Sequence, residues 1–330
     1  MMSKITRGIT EDFAEAFKNC ELNELYKSNK DELIIGVRNN YLNIYYNCDS
    51  ISKVTYNSKT EEIVCEIDQY YLDGKSRKSQ DKNKMAKLSP KEIKSKYETI
   101  KENSARKVTN EKKAQSQLYI LNNNNKDSNW FCIDVEYVKA FKDIAEKNDA
   151  KLNARFDTIA ISKSKNNLHR VALIELKYGS GSIGGKSGIY KHVSDFKAFQ
   201  DKNFFENHLQ EEIIEIIKSQ INLGIPVPFN PSKDELSNPE FYFITLDNNP
   251  KSKNGSTPKQ TMAGYLFKNE RWGCKRLTTK NSVEEDFGDI TDKSNPFTAS
   301  ILFSKDNLDG GKLGIVDIID GAYEDKEFPK

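Results

Sequence analysis

The spacing of apolar residues changes period along this chain. Phe13, Ala14, Phe17 and Leu25 recur at helical spacing behind Thr10, a good N-cap, and predict a short amphipathic helix. From Glu32 to Leu72 the pattern becomes strand-like. The runs ELIIGV, YLNIYYN, KVTYN and EEIVCEIDQYYL are separated by Asn-Asn, Cys-Asp-Ser and Asn-Ser-Lys turns, which predicts an antiparallel β-meander. Its tyrosines (Tyr41, Tyr45, Tyr46, Tyr70, Tyr71) suit packing on a half-buried sheet, with stacking on bases as the other use. Asp73 to Leu88 is polar and basic and reads as a loop.

Ser89-Pro90 is a helix start, an N-cap followed by proline at the first helical position. One long helix, or two in series, is predicted from Lys91 to Leu121. A strand (130–138), a short helix (139–147) and two strands within FDTIAISKSKNNLHRVALIELKYG (156–179) follow. Then come a glycine-rich loop (179–188), helices at 189–202 and 205–222, a Pro-rich loop from Pro226 to Pro239, and the strand FYFITLD (241–247). This order predicts an α/β core, a central mixed sheet flanked by helices. The chain divides into an N-terminal helix, meander and basic loop (1–88), the core (89–250), and a C-terminal elaboration (251–330). The last carries short strands AGYLF, ASILF and GIVDII and an acidic tail.

The 330 residues suffice for a buried core, and the composition (36% hydrophobic, 30% charged) is polar but globular. The net charge of +2 conceals an asymmetry. Lys75 to Lys113 holds 14 Lys/Arg against 5 Asp/Glu, whereas Asn281 to Lys330 holds 5 against 12. A basic segment of that size can follow a phosphate backbone, or it can be a solvated connector. The five cysteines (Cys20, Cys48, Cys65, Cys132, Cys274) are scattered and form no CxxC pair, which predicts reduced thiols and a cytoplasmic location. The first residues lack the apolar core of a signal peptide, and no apolar run approaches membrane-spanning length.

The candidate chemistry lies in the two strands at 156–179. Charges are costly among Ile, Val, Ala and Leu, yet Asp157 opens the first strand, and Glu175-Leu176-Lys177 closes the second. Alternation puts Glu175 and Lys177 on one face. Asp157, Glu175 and the Leu176 carbonyl offer hard oxygen ligands suited to Mg2+ or Mn2+, with Lys177 beside them to orient water or neutralise phosphate charge. Asp134 and Glu136 share a face two residues apart, so Glu136 is a candidate auxiliary acid.

Phe156-Asp157 followed by Glu175-Leu176-Lys177, on strands preceded by a helix, resembles the PD-(D/E)xK nuclease superfamily. The resemblance covers residues 91 to 250. It implies a restriction-endonuclease-like core and metal and catalytic roles for Asp157, Glu175 and Lys177. It also implies a divalent-metal-dependent nuclease acting on nucleic acid, expected to be DNA, and by analogy a part in restriction or defence. A homodimer is compatible with it, and no membrane partner is expected. The residue before the aspartate, a proline in the family's pattern, is Phe156. The family tends to carry a glutamate on the helix before the core strands. Glu111 is the candidate for that role here, with Gln115 one turn on and Glu98 and Glu102 as competitors. On the helix after the ExK strand, related nucleases place substrate-binding groups, which points to His192 and Gln200.

Two other readings stand beside this one. Strand, SGSIGGKSG and helix have the order of a nucleotide-binding P-loop. However, Gly185-Lys186-Ser187 needs a glycine five residues before Gly185, where Ser180 stands. Lys186 can still contact phosphate. A nuclease-like scaffold that binds nucleic acid or protein without cutting is the non-enzymatic alternative.

Overall fold

The computed structural model describes residues 7–75, 84–140, 153–178, 189–246, 276–278 and 298–303. The chain forms two compact units. Met1–Asn124 and His208–Asp234 make the first, and Asn125–Asn207 and Glu235–Lys330 the second. The architecture is mixed α/β, with an antiparallel meander in the first unit and a mixed sheet in the second.

In the first unit, helix α1 (Glu11–Lys18) starts as predicted, the Thr10 hydroxyl accepting the Phe13 N–H at 3.3 Å, and it buries Phe13, Ala14 and Phe17. Leu25 is not on α1. The chain breaks at Asn19-Cys20 and begins a second helix, α2 (Glu21–Ser28), which buries Leu22 and Leu25. Strands β1 (Leu33–Val37), β2 (Leu42–Tyr46), β3 (Asp49–Asn57) and β4 (Glu62–Asp68) form the expected meander. Asn47 and Cys48, at φ 50° and 52°, make the tight β2–β3 turn, a conformation that suits the strands' right-handed twist. Of the tyrosines, Tyr45 (4% exposed) and Tyr71 (3%) are packed inside, which is the packing use.

Two expectations fail at the end of the meander. The run to Leu72 does not stay extended. Asp68 caps the Tyr70 N–H at 2.9 Å and the chain coils into α3 (Gln69–Asp73), closed by Gly74 at φ 66°. Met85–Leu88, expected as loop, is strand β5, because it supplies backbone partners for Cys65–Asp68 on the open edge of β4. Between them, 76–83 lie outside the described residues.

Ser89 and Glu92 form a reciprocal capping box around Pro90 and start α4 (Pro90–Ser95). The helical stretch then divides in three, with α5 (Tyr97–Lys107) and α6 (Asn110–Asn124) following. Val108 turns extended (φ −73°, ψ 142°) and ends α5. In this unit α4 packs on α2 and β4, and α5 on α3 and β3, burying Ile93, Tyr97 and Ile100. Helix α8 (Gln210–Asn222) packs on α1 and β1 and buries Ile213, Ile216 and Ile217.

The second unit is a six-stranded sheet in the order β10-β11-β9-β8-β7-β6. Strands β6 (Trp130–Ala140), β7 (Asn153–Ser162) and β8 (His169–Tyr178) run antiparallel. The chain then passes through α7 (Ile189–Asp201) and a π-helical turn (Phe205–Leu209) before β9 (Leu236–Leu246) pairs parallel with β8. Strand β11 (Thr298–Phe303), the expected ASILF strand, pairs parallel with β9, and β10 (Arg276–Thr278) closes the edge antiparallel. The predicted Pro-rich loop ends early. Pro239 is tolerated inside β9 because the β8–β9 register shifts where it lies, between His169 and Val171. The helix expected over 139–147 does not begin at 139, since Lys139 and Ala140 pair with Ala154 and Asn153, and 141–152 lie outside the described residues. The predicted strands AGYLF and GIVDII also lie outside them.

Candidate active site

Asp157 does not open its strand, because pairing with Val138–Ala140 of β6 extends β7 back to Asn153 and leaves the aspartate near its middle. Pairing fails around it on both sides. The β6–β7 ladder passes from Val135↔Thr158 to Tyr137↔Phe156 and omits Glu136 and Asp157, and Glu136 takes a left-handed φ of 52°. The β7–β8 ladder stops at Thr158↔Ile174. Beyond it the Asp157 carboxylate accepts the Leu176 N–H at 2.7 Å, in place of a ladder carbonyl.

This interruption also moves Phe156. Strict alternation from Ile159↔Leu173 would send Phe156 to the face away from Glu175. Instead its ring lies 5.3 Å from Phe196 of α7, and Phe196 stacks at 5.2 Å on Phe243, the register partner of Glu175. A buried aromatic cluster of Phe156, Phe196, Phe199, Phe241 and Phe243 thus pins α7 to the face that carries Glu175. For the same reason Glu136 cannot simply share the face of Asp134, since its own backbone breaks the alternation.

Glu175 and Lys177 are each only 4% exposed. Lys177 Nζ donates to Glu175 Oε1 at 2.5 Å, and His192 Nε2, from α7, lies 3.0 Å from the same oxygen. Nζ and Nε2 are 3.4 Å apart, so two donors converge on one carboxylate oxygen. Both of these side-chain contacts fall on Oε1 of the Glu175 carboxylate. Burial alone would raise the Glu175 carboxyl, but the His192 hydrogen bond and the Lys177 charge outweigh it and hold the group below its ordinary value. Asp157 goes the other way. Burial and the neighbouring Glu175 charge push it well above the usual carboxylate range, Glu136 adds to the push, and the Leu176 N–H and Lys177 oppose it.

The donor chemistry suits a hard divalent cation. Asp157 and Glu175, with the Leu176 carbonyl, are two carboxylates and a carbonyl on adjoining strands, hard oxygen donors of the kind that Mg2+ takes together with water. Burial and the Glu175 charge disfavour the ionised form of Asp157, a penalty that a bound cation would reduce. Among the described residues, no group of three or more His, Cys, Asp or Glu side chains is assembled tightly enough to hold a metal by itself.

Of the remaining candidates, Glu136 stands beside Asp157 in sequence register and acts on it electrostatically. Glu111 and Gln115 lie on α6 in the first unit, with Gln115 buried, whereas Asp157, Glu175 and Lys177 belong to the second. Glu98 and Glu102 are exposed on α5. Gln200 is half-buried on α7 beside the core residue Phe199, and Lys186 lies outside the described residues. The spacing signal for His192 was available in the sequence. It precedes Phe196 by four residues, so it shares the core-facing side of α7. Nothing in the sequence showed that Glu175 would be its partner.

Comparison with protein-family models, with curated proteins and with solved structures finds no match for this chain. Among the described residues no helix is long and apolar enough to cross a membrane.

Proposed function

We propose that this chain is a divalent-metal-dependent nuclease with a restriction-endonuclease-like core, acting on DNA. The observation that carries the reading is the gathering of Asp157, Glu175 and buried Lys177 at the point where the β7–β8 ladder opens. The element order supports it too: three antiparallel strands, then α7 and, after it, α8, then a strand parallel to the third. The basic excess from Lys75 to Lys113 supplies charge that a phosphate backbone attracts. A cytoplasmic location belongs to the proposal, and it is supported by Cys20, Cys48, Cys65 and Cys132, none of which forms a disulfide.

In this reading Asp157, Glu175 and the Leu176 carbonyl hold Mg2+ or Mn2+. When bound, such a cation polarises the phosphodiester and lowers the pKa of a coordinated water. Lys177 sets a fixed positive charge at the same point, where it opposes the charge that develops on phosphate oxygen. Leu176 has two duties. Its N–H fixes the Asp157 carboxylate at 2.7 Å while its carbonyl remains a potential ligand. The aromatic cluster behind α7 keeps the site's floor dry and rigid.

The test is cleavage of plasmid, linear duplex and single-stranded DNA, and of RNA, by the purified chain with Mg2+, Mn2+ or EDTA. Metal-dependent cutting that disappears in Asp157→Ala and Lys177→Ala is the expected result. DNA binding without cutting by wild type, unchanged in both variants, would instead favour a non-catalytic nucleic-acid-binding module.

A further inference from the structure

We infer that His192 is a positioning residue that sets Glu175 for metal binding, an inference that rests on the metal-dependent reading above. The geometry is specific. Nε2 lies 3.0 Å from Glu175 Oε1, and a carboxylate only accepts, so Nε2 carries the hydrogen and donates it. Lys177 donates to the same oxygen at 2.5 Å. The two donors occupy Oε1 from the helix side and the strand side together. Oε2 has no bond from any described residue, and it is left as the oxygen that can reach a cation.

The anchor is stiff at its other end. The His192 ring meets Phe196 edge-on, with centroids 6.4 Å apart, and Phe196 is itself held against Phe156, Phe241 and Phe243. Glu175 has several rotatable bonds, and fixing such a side chain costs rotamer entropy. His192 meets that cost in the fold, before any cation arrives. The Nδ1 atom is buried and has no hydrogen-bond partner among the described residues. Nδ1 is therefore turned into the fold rather than toward solvent. Without His192, Lys177 would be the sole bond on Oε1, and Glu175 and Lys177 would be free to move as a pair away from Asp157.

The experiment titrates Mn2+ into the full chain, by calorimetry or by loss of the free-ion spin-resonance signal, for wild type and three variants. His192→Phe keeps the ring packing on Phe196 and removes the donor. His192→Gln places an amide N–H near the position of Nε2, and His192→Asn is too short to do so. Thermal melts without metal report folding separately. About a tenfold weaker Mn2+ affinity is expected for His192→Phe and His192→Asn, with His192→Gln recovering most of it. Where cleavage is measurable, kcat at low Mn2+ should fall in parallel while KM for DNA stays the same. Wild-type affinity in a folded His192→Phe overturns the inference, and so does a loss that His192→Gln fails to restore. If wild type binds no Mn2+, the inference falls together with the metal centre. If wild type binds Mn2+ but cuts nothing, the nuclease reading fails, and the same titration still decides the role of His192.

Discussion

The two units treat their inward-facing acids in opposite ways. In the first, Asp49 accepts from the Tyr71 hydroxyl at 2.7 Å and from Ser104 at 3.2 Å, and Glu32 accepts from Tyr97 at 2.9 Å and from Lys101 at 2.8 Å. Each acid is met by donors from other elements, and burial together with the acid's hydrogen bond makes the neighbouring tyrosines hold their protons more firmly than usual. In the second unit two acids sit across one opening in the ladder and share one lysine. Glu175 accepts from it and is held below its ordinary value, whereas burial and the Glu175 charge push Asp157 well above its own. An acid that serves packing is satisfied within the fold. The paired acids of the second unit are instead shifted in opposite directions, Asp157 upward and Glu175 downward.

The contrast can be broken most decisively at Asp157. Asp157→Asn should cut cleavage about a thousandfold. The same change should raise the stability of the metal-free protein by about 1 kcal/mol, because the amide still accepts the Leu176 N–H without the repulsion. A variant that is both inactive and less stable would mean that Asp157 serves the fold rather than the site.

Lys177→Ala comes next. Removing the cation from a pair in which both partners are 4% exposed leaves Glu175 buried with His192 as its sole partner and should cost about 3 kcal/mol, read by urea denaturation. Asp49→Ala should cost about 2 kcal/mol by orphaning the Tyr71 and Ser104 hydroxyls. It should leave the cleavage rate within about twofold of wild type, since ordinary surface-of-core losses act through stability alone. A dead Asp49→Ala enzyme would erase the distinction between the units. Glu136→Gly should relieve the left-handed backbone and stabilise by about 1 kcal/mol, whereas Glu136→Val should destabilise.

The pH dependence of stability is the mildest test, and the two acids have opposite signs. Asp157 binds its proton more tightly folded than unfolded. Its protonation therefore contributes stability that is complete below the ordinary value of 3.8 and is lost as pH rises through the elevated folded value. Glu175 is depressed when folded. Its contribution is present above the ordinary value of 4.5 and is lost as pH falls through the lowered one. Denaturation midpoints of wild type and Asp157→Asn, compared from pH 4 to 8, should diverge as pH rises, with the variant ahead at the alkaline end. Parallel curves would show that Asp157 is not strained by Glu175.

Much of the local structure was legible in the residues. The Thr10 cap, the Ser89-Pro90 start, the meander turns and the apolar strands around Asp157 and Glu175 all follow from short-range chemistry, and each is found. Less legible were elements whose partners lie far away. Met85–Leu88 is a strand because β4 has an open edge, and Pro239 sits inside one because the β8–β9 register slips. Neither cause is written near the residue it affects.

The residues by themselves determined which side chains could do the chemistry, since three charges placed in apolar strands announce a reason to be there. Only the tertiary structure decided how those charges divide. The ladder opens at Glu136 and Asp157, Phe156 crosses to the other face, and α7 brings His192 onto the oxygen already held by Lys177. Alternation and spacing are local rules that fix candidate positions. Which carboxylate is held below its ordinary value and which is pushed above it depends on distances between two strands and a helix, and packing alone sets those.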